Sequence, residues 1–269
     1  MKLSEKIGFV GGGMMAEALI KGLLQGGLVD AGQLFVTEPV AARRQILQDS
    51  HGVNVSGDYE PALSCDIVIL AVKPQVMAKV LADSRASLGS ENLIISIAAG
   101  VPLAALEGGL SSECRVIRVM PNTPALVLAG ASALSGGKNA SSADMDLATA
   151  IFNAIGTASV MPESALDAVT GLSGSGPAYV FAFLEAMIDG GLKVGLPRPL
   201  AEQLAQQTIL GSMQLAMASD EHPAQLKAMV TSPGGTTIAG LHELEKGAFR
   251  ANIMNAIEAA TRRSRELGE

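Results

Sequence analysis

The stretch IGFVGGGMMA, residues 7–16, decides the fold. Four apolar residues lead into three consecutive glycines and then into residues 14–24, whose apolar spacing suits a helix. Glycine loses the most backbone freedom on folding, so three together belong where a chain turns tightly or lets another molecule approach its backbone. Gly11, Gly13 and Ala16 form a G-x-G-x-x-A pattern between a buried strand and a helix, the setting in which it binds a dinucleotide. The first glycine makes the turn, the second admits the pyrophosphate, and Ala16 lets the helix pack closely on the strand. Unpaired N–H groups at the helix start then meet the phosphates. Gly11 to Gly13 and the helix start that follows are the candidate cradle. A glycine-rich turn that holds no ligand is the competing reading.

Outward from this unit, strand-like and helix-like runs alternate. Residues 33–37 read as a strand and 40–49 as a helix. DIVILAV (66–72) reads as a strand ending at Lys73-Pro74, and residues 76–88 as a helix. NLIISIA (92–98) and residues 115–120 are further strands, the last stopped by Pro121. Such alternation implies parallel pairing through right-handed crossovers, with both sheet faces covered. From about residue 163 the texture turns helical. It is punctuated by GLSGSGP (171–177), GLPRP (195–199), HP (222–223), SPGG (232–235) and KG (246–247), each expected to stop or start a helix. The expected architecture is α/β: a Rossmann-type parallel-sheet domain, residues 1–162, followed by an all-α dimerisation and substrate-binding domain, residues 163–269.

Composition narrows the function classes. The 269 residues carry a formal net charge of −7 with no basic block, which argues against nucleic acid and anionic membranes as partners. Cys65 and Cys114 lie far apart, and His51, His222 and His242 lack metal-ligand spacing. Neither a disulfide framework nor a metal site is expected, and a reducing cytoplasm is the natural setting. The chain enters its first strand at once, with no removable signal expected. The longest apolar region, residues 93–106, contains Ser96, Gly100 and Pro102 and is too short to span a bilayer.

The helix expected from Pro177 carries one narrow polar stripe, Glu185, Asp189 and Lys193. Val180, Phe181, Leu184, Met187, Ile188 and Leu192 cover most of its remaining circumference. A helix apolar on most sides is buried on most sides. A small helical domain can hardly enclose several such helices alone, so dimerisation is expected, with packing against the first domain as the alternative.

Open parallel sheets bind ligands beyond the carboxyl ends of their strands. AVKP (71–74), IAAG (97–100) and MPNTP (120–124) all fall there. Lys73, before Pro74, can meet a phosphate, a ribose or a carboxylate, or be solvated. Asn122, between two prolines, can orient a carboxamide or belong to a plain loop. Glu38, after the second strand, can accept the ribose hydroxyls of NAD and would repel a 2′-phosphate, whereas nearby Arg43 and Arg44 can serve NADP. In the helical half, VTSPGGTT (230–237) places Thr236 and Thr237 at a helix start suited to a carboxylate. Ordinary Ser/Thr capping competes with that reading.

These pieces in order resemble pyrroline-5-carboxylate reductase over essentially the whole chain. The most specific stretches are DAVTGLSGSGPAYVFAFLEAMIDGGLKVGLPR (167–198) and HPAQLKAMVTSPGGTTIAGLHELE (222–245). The resemblance implies an NAD(P)H-dependent reduction of the C=N bond of 1-pyrroline-5-carboxylate to L-proline, intertwined dimers, and often a decamer. It implies cofactor contacts at Val10, Gly11, Gly12, Gly13, Met14, Met15, Glu38, Val72, Lys73 and Ala99, and a substrate site at Glu163, Val230, Ser232, Gly235, Thr236 and Thr237. Thr237 is the candidate hydrogen-bond partner of the ring nitrogen. Asp220 matches a position often held by glutamate and is, with water, a candidate proton source, unless the imine binds already protonated. Two positions depart from the pattern. Glu38 stands where relatives often have a small residue receiving the 2′-phosphate, and Asp58 near one where an amide meets the adenosine ribose; both weigh toward NADH. A β-hydroxyacid dehydrogenase also joins a Rossmann domain to helices, but SGSGPAY and SPGGTT discriminate against it. A nucleotide-sensing protein without catalysis is the non-enzyme alternative, opposed by the intact Thr237 region.

Overall fold

The computed structural model describes residues 2–268. Eight strands form one sheet: β1 (Ile7–Val10), β2 (Leu34–Thr37), β3 (Asn54–Ser56), β4 (Ile67–Leu70), β5 (Leu93–Ser96), β6 (Arg115–Met120), β7 (Gly130–Gly136) and β8 (Gly156–Val160). Their spatial order is β3-β2-β1-β4-β5-β6-β7-β8. Every pairing is parallel except β6 with β7. The chain reverses its direction of winding between β1 and β4, where Val10 pairs with Leu70. A crevice opens at such a switch point, beyond the strand ends.

The intervening helices are α1 (Met14–Gln25), α2 (Ala41–His51), α3 (Glu60–Leu63), α4 (Pro74–Ser84), α5 (Leu103–Gly109), α6 (Ser142–Asn153) and α7 (Leu166–Val169). Alternate residues of β4 face opposite sides. Ile67 and Ile69 join Phe9, Leu19, Ile20, Leu23 and Phe152 in one core, while Val68 and Leu70 join Met77, Val80, Leu81 and Leu106 in the other. Burial of both faces explains why these strands read as continuous apolar runs.

The remaining helices are α8 (Gly176–Lys193), α9 (Arg198–Met217), α10 (Pro223–Met229), α11 (Thr236–Lys246) and α12 (Phe249–Gly268). Two compact units result, one of residues 2–175 with 259–268 and one of 176–258. This division differs from the one drawn at residue 163 on texture. Leu166 is fully buried in the first unit, Glu163 is bonded to Arg118 of β6, and Asn122 donates to the Ser173 carbonyl at 3.0 Å. Helical texture begins before compact membership changes. GLSGSGP does start a helix, α8 at Gly176, but Thr170–Gly174 before it form a π-helical turn leading on from α7, closed by Ser175 N–H donating to Thr170 O at 2.8 Å.

The second unit has almost no core of its own. Among its described residues only Ala201 and Ala205, both on α9, are buried. Gly191 lets α8 approach α9 closely, since a Cβ there would lie 3.0 Å from that of Ala201. The expectation that α8 is buried on most sides is not met within one chain: Val180 and Phe181 are 48% and 64% exposed. No described helix is long and apolar enough to cross a membrane.

Candidate active site

The glycine turn follows β1 and opens α1. Gly11 has φ +103°, and a Cβ there would lie 2.6 Å from the Ala71 carbonyl oxygen, so only glycine fits. Its N–H donates to Thr37 O at 2.8 Å, and Gly12 N–H donates to Glu38 Oε2 at 3.0 Å. Gly13 caps α1, and the N–H groups of Gly13, Met14 and Met15 find no acceptor among the described residues. A Cβ built on Gly13 meets nothing within 4 Å. Three unpaired donors at a helix N-terminus, with open space beside Gly13, fit a pyrophosphate.

That geometry makes a direct prediction. Gly13→Val places its branches in open space, so fold and oligomer persist, while NAD(P)H affinity falls roughly tenfold or more. A fluorescence titration with NADH checks this, and unchanged affinity would remove the loop from the cofactor site.

Glu38, just after β2, is half-buried and already bonded. Oε2 accepts from Gly12 N–H and Oε1 from Val40 N–H, each at 3.0 Å. Each carboxylate oxygen keeps a second lone pair, which suits ribose hydroxyls. The exposed Asp58 carboxylate follows β3 on the neighbouring strand end, where Thr37 Oγ1 donates to Asp58 O at 2.9 Å. The two arginines read as candidate 2′-phosphate ligands are engaged elsewhere. Arg44 Nη1 donates to the carbonyls of Glu38 and Pro39 at 2.6 and 3.0 Å. Arg43 donates through Nε to Gly12 O at 2.7 Å and through Nη2 to Glu17 Oε2 at 2.6 Å.

Val72, Lys73 and Pro74 follow β4, with Lys73 at the N-cap of α4 and its ammonium without a partner among the described residues. Ala99 is exposed beyond β5. These positions lie past the carboxyl ends of neighbouring parallel strands, and Val10 is the last residue of β1. Asn122 is differently employed: Oδ1 accepts from Ala131 N–H at 2.8 Å while Nδ2 holds Ser173 O, bracing β7 against the π turn. Glu163 is committed as well. Its Oε1 accepts from Arg118 Nη1 at 2.9 Å and from Leu103 N–H, at the start of α5, at 2.6 Å. An arginine inside the apolar run of β6 was the one sequence signal for this pair.

In the second unit, SPGG forms the turn into α11. Gly234 has φ +67°, which favours glycine in the turn, and a Cβ on Gly235 would lie 2.3 Å from Ser232 Oγ and displace that hydroxyl. Gly235 caps α11, and the N–H groups of Thr236 and Thr237 have no acceptor among the described residues. Their hydroxyls are equally uncommitted. Thr149, Thr170, Thr208 and Thr231 instead bond the carbonyl four residues back. A threonine in the first turn lacks such a helical carbonyl. Val230 is exposed before the turn, and Asp220 is exposed between α9 and α10.

Nucleophilic sulfur has little place in this chain. Burial first, with Asp66 adding to it, pushes the Cys65 thiol up to about 11, and burial raises Cys114 too. Neither supplies a thiolate near neutrality.

Comparison with known proteins shows the family and the fold. The family model for pyrroline-5-carboxylate reductase dimerisation matches residues 163–267, and one for NADP oxidoreductase, coenzyme F420-dependent, matches residues 6–100. The chain is 47% identical to the pyrroline-5-carboxylate reductase of Methanosarcina acetivorans, over 99% of both chains. It superimposes on the Coxiella burnetii pyrroline-5-carboxylate reductase with TM-score 0.93 and 34% identity, covering 99% of this chain and 100% of that one. It also superimposes on the Plasmodium falciparum pyrroline carboxylate reductase with NADP bound, at TM-score 0.90 and 37% identity over all of both chains. The chain therefore belongs to the pyrroline-5-carboxylate reductases, NAD(P)H-dependent oxidoreductases that reduce 1-pyrroline-5-carboxylate to L-proline in the last step of proline biosynthesis.

Proposed function

We propose that this reductase holds its nucleotide at the α1 turn and its imine at the start of α11, and that it prefers NADH. The observation carrying the substrate assignment is the pair of uncommitted hydroxyls and N–H groups at Thr236 and Thr237. Backbone donors there bind the carboxylate, with Val230, Ser232 and Gly235 shaping the turn, and Thr237 Oγ1 holds the ring nitrogen. The bound nicotinamide supplies the hydride. The chain's residues orient the C=N carbon and stabilise the charged ring, because positioning alone lowers such a barrier by several kcal/mol, to order of magnitude. Asp220, exposed and unpaired among the described residues, and water are the proton sources in this reading. Glu163 acts at one remove, anchoring Arg118 and the start of α5.

In the nucleotide site, Val72, Lys73, Pro74 and Ala99 would help hold the nicotinamide half, while Asn122 braces β7 and the π turn. Glu38 and Asp58 together place negative charge where a 2′-phosphate would sit. Glu38→Ser removes one of those charges. It raises the NADPH-to-NADH ratio of kcat/KM about tenfold, and it weakens NADH because the Gly12 and Val40 N–H groups lose their acceptor. A ratio that does not move toward NADPH would mean Glu38 does not face the ribose.

The helical segment from residue 163 onward forms the homodimer in this reading, and dimers assemble to a decamer in the cytoplasm. The deciding assay is turnover of 1-pyrroline-5-carboxylate with NADH and NADPH supplied separately. No turnover with either would refute the catalytic reading.

A further inference from the structure

The grip on Gly12 comes from both ends. Its N–H is taken by Glu38, and its carbonyl accepts from Arg43 Nε at 2.7 Å. Arg43 is held in turn, since its Nη2 lies 2.6 Å from Glu17 Oε2 on α1 while Glu17 Oε1 lies 3.1 Å from His51 Nε2 at the end of α2. Side-chain exposures of 24%, 30% and 14% for Arg43, Glu17 and His51 place the trio beneath the surface. Exposed ion pairs are worth little, but a half-buried fork bonded at two points is a fixed element. Burial opposes the charge on Glu17, yet the hydrogen bonds from Arg43 and His51 prevail and hold its carboxyl below the usual range. Its contribution to stability is thus present above the unfolded pKa and lost as pH falls through the folded one.

In a trans peptide the carbonyl and the following N–H point in opposite directions. Drawing the Gly12 carbonyl toward Arg43 on α2 therefore aims the Gly13 N–H the opposite way, and that N–H finds no acceptor among the described residues. We propose that Arg43, clamped by Glu17, is a positioning residue that sets the Gly12–Gly13 peptide for the nucleotide pyrophosphate and is thereby withheld from a 2′-phosphate. The inference rests on the assignment of the glycine loop to the pyrophosphate, which Gly13→Val tests separately.

Arg43→Met keeps the apolar stem and removes every donor. The KM values of NADH and NADPH both rise about 10- to 100-fold, with kcat at saturating nucleotide and the KM of the imine unchanged. Glu17→Gln keeps an acceptor for the guanidinium but removes the charge, and both nucleotide KM values rise about three- to tenfold. A general structural role would instead disturb kcat or the imine KM. A 2′-phosphate ligand would lose NADPH alone, and an idle surface pair would change neither nucleotide; any of these three results overturns the proposal. If Arg43→Met does not fold, Glu17→Gln decides on the same readouts. If Gly13→Val weakens binding while these variants leave both nucleotides unaffected, the loop assignment stands and the clamp alone falls.

Discussion

Thr237→Ala lowers kcat/KM for 1-pyrroline-5-carboxylate about 10- to 150-fold, because a hydrogen bond to a charged group contributes roughly 1.5–3 kcal/mol. The hydroxyl is removed while the N–H groups of Thr236 and residue 237 stay at the α11 start. The carboxylate therefore remains bound, and the imine is less well oriented. Thr237→Ser keeps the hydroxyl and most of the activity. Neither variant is expected to change nucleotide affinity, since the donors proposed for the nucleotide lie at the other helix start, on α1. Steady-state kinetics at saturating nucleotide, with a thermal melt to verify folding, measure the effect. A folded, fully active Thr237→Ala enzyme would leave Thr237 as a helix cap and nothing more.

Phe181→Asp separates the protomers. Phe181 is 64% exposed in the single chain and lines a surface groove of about 710 Å³ with Leu184, Ile188 and Arg198. The unit that carries it buries only two alanines, so its helices gain their apolar contacts from another copy. Losing a buried aromatic anchor costs ~2 kcal/mol or more. A two-fold interface repeats the loss, so the dimer Kd rises about 10³-fold. A carboxylate adds desolvation to that. Sedimentation analysis across protein concentration reads the change, and activity falls with the oligomer because α11 belongs to the same coreless unit. Undiminished assembly would show that a different helix face carries the interface.

Much of the first unit was legible because its signals are local. β1, α1 and β6 stand where their residues foretold, and β4 and β5 lie within the runs read as strands. Strong alternation of β-branched runs with proline or glycine stops leaves few other solutions. β3, β7 and β8 escaped for a physical reason. NVS is short, while GASALSG and GTASV are rich in small residues, and what makes them strands is the partner on which they pair. The π turn escaped similarly, since glycine and serine in a row read as a break while Asn122 anchors it from residues far away in sequence.

The sequence by itself determined the alternating strands and helices from β1 to β6 apart from β3, the helical texture of the second half, the family, and the two helix starts that offer unpaired donors. Those depend on residue type and spacing over a few residues. Only the tertiary structure decided how the polar side chains between them are used. Arg43 and Arg44 had the right charge for a 2′-phosphate, yet the fold points them at the carbonyls of Gly12, Glu38 and Pro39. Asn122 and Glu163 had the right chemistry for ligands, yet both brace backbone, one at β7 and the π turn and one at α5. A side chain's hydrogen-bonding partner is whichever group lies within about 3 Å in the right direction. For residues tens of positions apart, that proximity is a property of the packed chain and not of the residue.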